Sequence, residues 1–282
     1  MERDLQQVMP ADERAGAEIR LARAADASRK GRLYLALHEL SAVWRLQAAT
    51  TFAGRLRDKV DSAEEFRKEW TSIGEPVMPA VPSALPLALG ALATSAEAVA
   101  PATYRASLPY SEDAGIGSGL YYLGDSQAAV QFGAFCRSLI LADRGPRPSL
   151  RSVAPDMDRL ETEILKNYNK ADATARRPFI QISVTLKIAR ERDASGDYAA
   201  SLVQYLLARY QHALVTTTAP AADIGARLKS SEAAMHNGDH SIGELFLQMA
   251  AAHLENGNPE GSRIATAIMD VVIPEYIGIV KR

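Results

Sequence analysis

Three histidines, His236, His240 and His253, are the chain's one grouping of classical metal-ligating residues. A four-residue spacing can set two ligands on one helix face. Here Asn237 and Gly238 fall between His236 and His240, so the pair spans a turn. Nothing nearby in sequence, neither a cysteine nor a positioned carboxylate, completes a ligand set, and no metal is expected. The acids Asp156, Asp158, Glu161 and Glu163 are spaced closely enough for acid–base work. At the start of a helix such acids instead complement the positive end of the helix dipole. Arg144, Arg147 and Arg151 sit in a proline-containing stretch and read as a solvated basic loop.

Two glycine motifs have chemical parallels. Gly115-Ile116-Gly117-Ser118-Gly119 has the density of a phosphate-binding loop. Such a loop needs a preceding strand in a βαβ unit, whereas this one follows Pro109 and a helix cap at Ser111. Gly124-Asp125-Ser126 matches the opening of one family of serine hydrolases, but there the serine follows a strand and a later Asp and His complete the relay. Both motifs read as helix packing or turns. Tyr121, Tyr122, Phe132 and Phe135, at helical spacing, read as core. No catalytic residue, no cofactor-binding residue and no cofactor are assigned.

Composition sets the wider frame. The chain has 282 residues, 47% of them hydrophobic and 23% charged, which suits a folded protein with a sizeable core. Thirty-two basic and 34 acidic side chains leave a net charge of -2. That balance gives no electrostatic reason for nucleic acid as a partner. Cys136 is the single cysteine, which leaves no intrachain disulfide. The first residues, with Glu2, Arg3 and Asp4, do not form a signal peptide; the cytoplasm is favoured, a processed periplasmic form being the other option. The most apolar stretch, 80–100, is interrupted by Pro82, Pro86, Gly90 and Glu97. It is too broken for a membrane span of ~20 apolar residues.

Helix signals dominate, so the expected fold class is all-α. Helices are predicted over 13–30 and 33–57, where Leu35, Leu37, Leu40, Val43, Leu46 and Ala49 repeat at three-four spacing. A short helix is predicted from Asp61-Ser62 to Trp70. Prolines at 76, 79, 82 and 86 predict an extended connector. Helices follow over 87–108, 111–123, 127–141, 156–168, 177–194, 198–215, 221–236 and 241–255. Asn258-Pro259 is a strong start signal for a last helix over 259–272, which Pro274 is expected to end. The domains expected are an N-terminal helical region 1–75, a proline-rich connector 76–86, and a helical repeat-like domain 87–282 ending in a capping helix and an apolar tail.

Four glycine turns recur: Gly31-Arg32, Gly124-Asp125, Gly196-Asp197 and Gly238-Asp239. Seven residues before each stands a small residue, Ala24, Gly117, Ala189 or Ser231. Five residues after each stands another, Ala36, Ala129, Ser201 or Gly243. Small side chains let two helices cross closely, and glycine supplies the reversal. The pattern resembles tetratricopeptide repeats, and best so at Gly117, Gly124-Asp125, Ala129 and Val130 and at Ala189, Gly196-Asp197-Tyr198, Ser201, Leu202 and Tyr205. The turns lie 93, 72 and 42 residues apart, whereas the family period is about 34. The array is therefore degenerate: an irregular stack of antiparallel hairpins, an α-solenoid in outline.

The resemblance implies a non-enzymatic protein-binding scaffold or an accessory subunit of a larger assembly. It places partner contacts on first-helix side chains: Arg20, Arg23 and Ala27, then Arg190 and Asp193, then Arg227 and Glu232. The C-terminal segment adds Tyr276, Ile277 and Ile279, too apolar for a free tail, which dock either in a neighbour's groove or in the chain's own. The expected partner is another protein or a neighbouring subunit, with no nucleic acid and no membrane span. Rival readings are a structural subunit that docks by this tail and an enzyme whose helical domain hosts a site around the histidines.

Overall fold

The computed structural model describes residues 11–77, 85–111, 115–139, 141, 144–172, 175–216, 223–235 and 237–282. Every regular element among them is helical, with no strand. None of these helices is long and apolar enough to cross a membrane. The chain divides into two compact units, Met1–Leu85 with Leu92–Ile140, and Pro86–Ala91 with Leu141–Arg282. The sequence reading put its boundary at the proline-rich connector instead. Most of that connector, 78–84, lies outside the described residues, as do Glu112, Asp113 and His236. Residues 92–140 join the first unit because their longest helix packs along the helix of residues 33–56.

In the first unit, α1 (Ala11–Arg29) and α2 (Leu33–Leu56) form a hairpin. Gly31, at φ 71°, makes the reversal, and Arg32 N–H donates to Ala27 O at 2.8 Å. Ala17, Ala24 and Ala27 are buried, and Ala17 packs with Val43 of α2. Ser62 caps α3 (Ala63–Ile73) by accepting from Glu65 N–H, while the Glu65 carboxylate accepts from Asp61 N–H. This reciprocal pairing satisfies donors that a helix start leaves open. α4 (Leu87–Glu97) gives its first five residues to the second unit and the rest to the first. α5 (Ala100–Ser107) ends in a 3₁₀ turn, Leu108–Tyr110. Trp70 of α3 and Tyr104 of α5 stack at 4.4 Å, and each donates to the other's backbone carbonyl.

The last helix of this unit corrects the sequence reading. α6 runs unbroken from Ile116 to Ser138, straight through Gly124-Asp125. A glycine inside a helix costs about 1 kcal/mol relative to alanine, so something must require it. A Cβ at Gly124 would lie 2.8 Å from Phe52 Cβ and 3.0 Å from the Ala49 backbone. The glycine is there for close crossing of α2 and α6, and not for a turn. Asp125 carries the bond beside it, accepting from Arg45 Nε and Nη2 at 2.8 and 2.6 Å. Gly117, taken from sequence as the packing contact, is exposed with open space around it. Gly119 holds that role, against the Phe66 ring. At Gly133 the missing side chain makes room for Glu97, which is 1% exposed and held bidentately by Arg137, itself 14% exposed.

In the second unit, α7 (Ala154–Lys170) packs on α8 (Arg177–Ala194). Gly196 at φ 79° reverses the chain into α9 (Tyr198–Thr216), and Ala189 and Ser201 lie fully buried at the crossing. α10 (Ile224–Ala234) and α11 (Ser241–Glu255) are joined at Gly238, φ 124°. This turn has a second job. Asp239 accepts from Leu87 N–H at 2.8 Å and from Ser241, whose hydroxyl oxygen accepts from Ala88 N–H at 2.9 Å. The turn thus caps the start of α4.

α12 (Pro259–Ala267) begins where the sequence predicts, with the Asn258 side chain accepting from Gly261 N–H at 2.6 Å. Pro274 does not end the helical path. A π-helical turn, Ile268–Val272, leads directly into α13 (Ile273–Val280). Pro274 sits in the first turn of α13, where its missing N–H is tolerated, and the wide turn before it relieves the ring. The apolar tail is therefore a packed helix. Tyr276 is buried, its ring edge facing Gly243, where a Cβ would sit 2.6 Å away, and its hydroxyl lies 3.0 Å from His240 Nδ1.

A charged groove in the second unit

α7 and α13 form two walls over a floor supplied by α9, enclosing a cleft of about 450 Å³. Each wall presents one helical face. On α7 this is Asp156, Arg159, Leu160 and Glu163; on the other wall it is Val271 of the π turn, Pro274, Glu275 and Gly278 of α13, and Arg282 just beyond it. Such three-four spacing lines up side chains on one side of a helix. The floor is Tyr205 and Arg209, one turn apart on α9.

Asp156, in the first turn of α7, is 2% exposed. Two arginines converge on it. Arg159, three residues on, pairs with Oδ1, and Arg282 Nη1 reaches both carboxylate oxygens at 3.0 Å. Their side chains are 65% and 53% exposed, and Asp156 is the only partner of both among the described residues.

At the other end, Arg209 is the hub. Its Nη1 donates to Glu163 at 2.8 Å and its Nη2 lies 3.7 Å from Glu275. Its Nε is buried with no partner among the described residues. Tyr205 donates to Glu275 at 2.9 Å. Burial, reinforced by the charge of Glu275, pushes the Tyr205 hydroxyl above its ordinary range, so it remains a donor at neutral pH. His212, beside Asn167 at 2.9 Å, has its pKa lowered by burial and stays neutral there. Asp270, at the rim, pairs with Arg227 at 2.5 Å.

The walls run antiparallel: Asp156 meets Arg282 at one end, and Glu163 and Glu275 share Arg209 at the other. On α7 seven residues separate Asp156 from Glu163, about 10.5 Å of helix; on the other wall Glu275 is helical and Arg282 lies two residues beyond the end of α13.

The sequence-expected partner contacts are scattered. Arg20 pairs with Glu39 at 3.2 Å, Arg23 is exposed, and Ala27 is buried against its own hairpin and so unavailable to a partner. Arg190 bridges Asp158 and Glu161 on α7. Asp193 accepts from Val153 N–H at 3.0 Å and from the Ser152 and Ser201 hydroxyls, holding the entry to α7. Arg227 ties α10 to the π turn through Asp270 and Met269 O, and Glu232 is exposed. Tyr276 is core, so at this residue the segment docks on its own chain, which corrects its assignment as a partner contact; Ile277 and Ile279 are half-buried. Of the four clustered acids, Asp156 and Glu163 do reach one site. Arg159, Arg209, Glu275 and Arg282 were not singled out from sequence, and their three-four spacing was the available signal. His240 is spent on Tyr276, and no cluster of three metal-ligating side chains occurs among the described residues.

Compared with known proteins, the chain matches no family model, no curated protein and no solved structure.

Proposed function

We propose that the chain is a helical protein-binding module of degenerate hairpins, and that the groove between α7 and α13 receives a segment of its partner. The observation that carries this reading is the groove itself. It is open, two-walled and lined by polar groups, among them two arginines whose side chains stay more than half exposed while paired to Asp156. Concave sites of this size, with a few placed polar groups, are where ligands bind. Between its charged ends the lining includes Leu160 and Gly278, and Val271 and Pro274 line it beyond Glu275, which adds apolar surface for short side chains. The hairpins at Gly31, Gly196 and Gly238 support a repeat-like scaffold, because each buries one face only by packing on a neighbour.

The test is a photo-crosslinking residue in place of Gly278, an exposed position with open space around it. A control chain carries the same residue at Glu232, exposed on α10. Irradiation in native cells is expected to give a discrete protein adduct from position 278 and none from 232. Equal labelling from both positions, or none from 278, would overturn the proposal.

A further inference from the structure

We infer that the groove selects an extended segment of a partner protein with an acidic side chain and, three residues along, a basic one. This rests on the segment-binding reading above and adds the chemistry of the segment.

The argument is charge division along the groove. At one end a single carboxylate, Asp156, is shared by Arg159 and Arg282, so among these three side chains one positive charge is in excess. Both arginine side chains are more than half exposed. The first turn of α7 adds the positive end of a 17-residue helix. At the other end Glu163 and Glu275 share one arginine, Arg209, so one negative charge is in excess. The Tyr205 hydroxyl bonds to Glu275 without changing that charge. Asp270 is already matched by Arg227. Neighbouring His212 is neutral near pH 7 and does not alter the count.

The distance then fixes the spacing. The two ends lie about 10.5 Å apart along α7, from Asp156 to Glu163. An extended chain advances about 3.3 Å per residue, so an acid and a base three residues apart span the same length. A helical ligand would instead need its charges seven residues apart, so the spacing that is enriched separates the two forms. The two intervening residues meet Leu160 and Gly278, which favours small or apolar side chains there.

The experiment pans one random-peptide display library over the full chain and over the Glu163→Lys and Arg282→Glu variants. Both positions are about half exposed, and unchanged melting temperatures verify that the variants fold. The wild type is expected to enrich acid–x–x–base sequences. Glu163→Lys should lose the preference for the base, and Arg282→Glu the preference for the acid. Each variant should bind the wild-type peptide about tenfold or more weakly. Moving the base by one residue in a synthetic peptide should cost a similar factor. Enriched peptides without this spacing, or binding that survives both charge reversals, would overturn the inference and leave segment binding standing. No enrichment by the wild type would overturn both.

Discussion

The two units each bury a carboxylate, and they treat it differently. In the first, Glu97 meets one arginine, Arg137, in a bidentate pair closed off from solvent, with Gly133 making the space. In the second, Asp156 is as deeply buried but meets two arginines whose side chains are more than half exposed beside an open cleft. The first arrangement is balanced and has nothing left to offer a ligand. The second is over-supplied with positive charge at a surface. Burial of an acid is therefore no sign of a site by itself; the exposure of its partners decides.

The largest expected effect tests the closed pair. Arg137→Met leaves Glu97 buried without a counter-charge and should cost roughly 3–5 kcal/mol in denaturant unfolding. Replacing both residues with Leu and Met should recover most of it. Arg282→Met, by contrast, leaves Arg159 on Asp156 and should cost under about 1 kcal/mol. Equal losses at the two sites would erase the distinction.

Next in size is Tyr276→Ala, expected to cost about 3 kcal/mol, because this aromatic side chain is core in the second unit. A chain that loses partner binding at unchanged stability would instead restore Tyr276 as a docking residue. Smaller again is Gly124→Ala, expected to destabilise by roughly 1–3 kcal/mol because the new methyl meets Phe52 and the Ala49 backbone. Gly117→Ala has free space and should be neutral or stabilising by up to about 1 kcal/mol. Thermal melts of the two alanine variants read the contrast directly.

The smallest effect concerns pH. Burial lowers the pKa of His212, and of His38 in the first unit, below the usual 6.5. Above that value both states are neutral and the stability is fully present. As pH falls through 6.5 the unfolded chain takes up protons that the folded chain refuses, so stability is lost. The melting temperature should be lower at pH 5 than at pH 7.5. The difference should shrink in His38→Gln and His212→Gln, and an unchanged difference in both would contradict the assignment.

These contrasts also show what a linear chain discloses. Three of the four glycine turns were legible, because a glycine after a helical run and before a polar residue reads as a reversal. Gly124 was not, because glycine serves close packing as well as turning, and local sequence does not say which. The clue was the unbroken buried face Ile116, Leu120, Leu123, Ser126, Ala129, Phe132 and Cys136, whose three-four spacing continues through the glycine. Asp156 and Glu163 were visible as helix-start acids. Their meaning was not, since the arginine that completes the Asp156 end lies 126 residues away. Pairings that distant depend on how α13 packs, and that followed from a π turn before Pro274 that no local rule predicts.

The central claim, a ligand groove divided by charge, is most directly tested by backbone amide NMR. An acid–x–x–base peptide is titrated into the isotope-labelled full chain. The account predicts that amide shifts move at 156–163, 205–209 and 270–282, with the acid perturbing the Arg159–Arg282 end and the base the Glu163–Glu275 end. Shifts confined to the first unit, or none at saturating peptide, would contradict it.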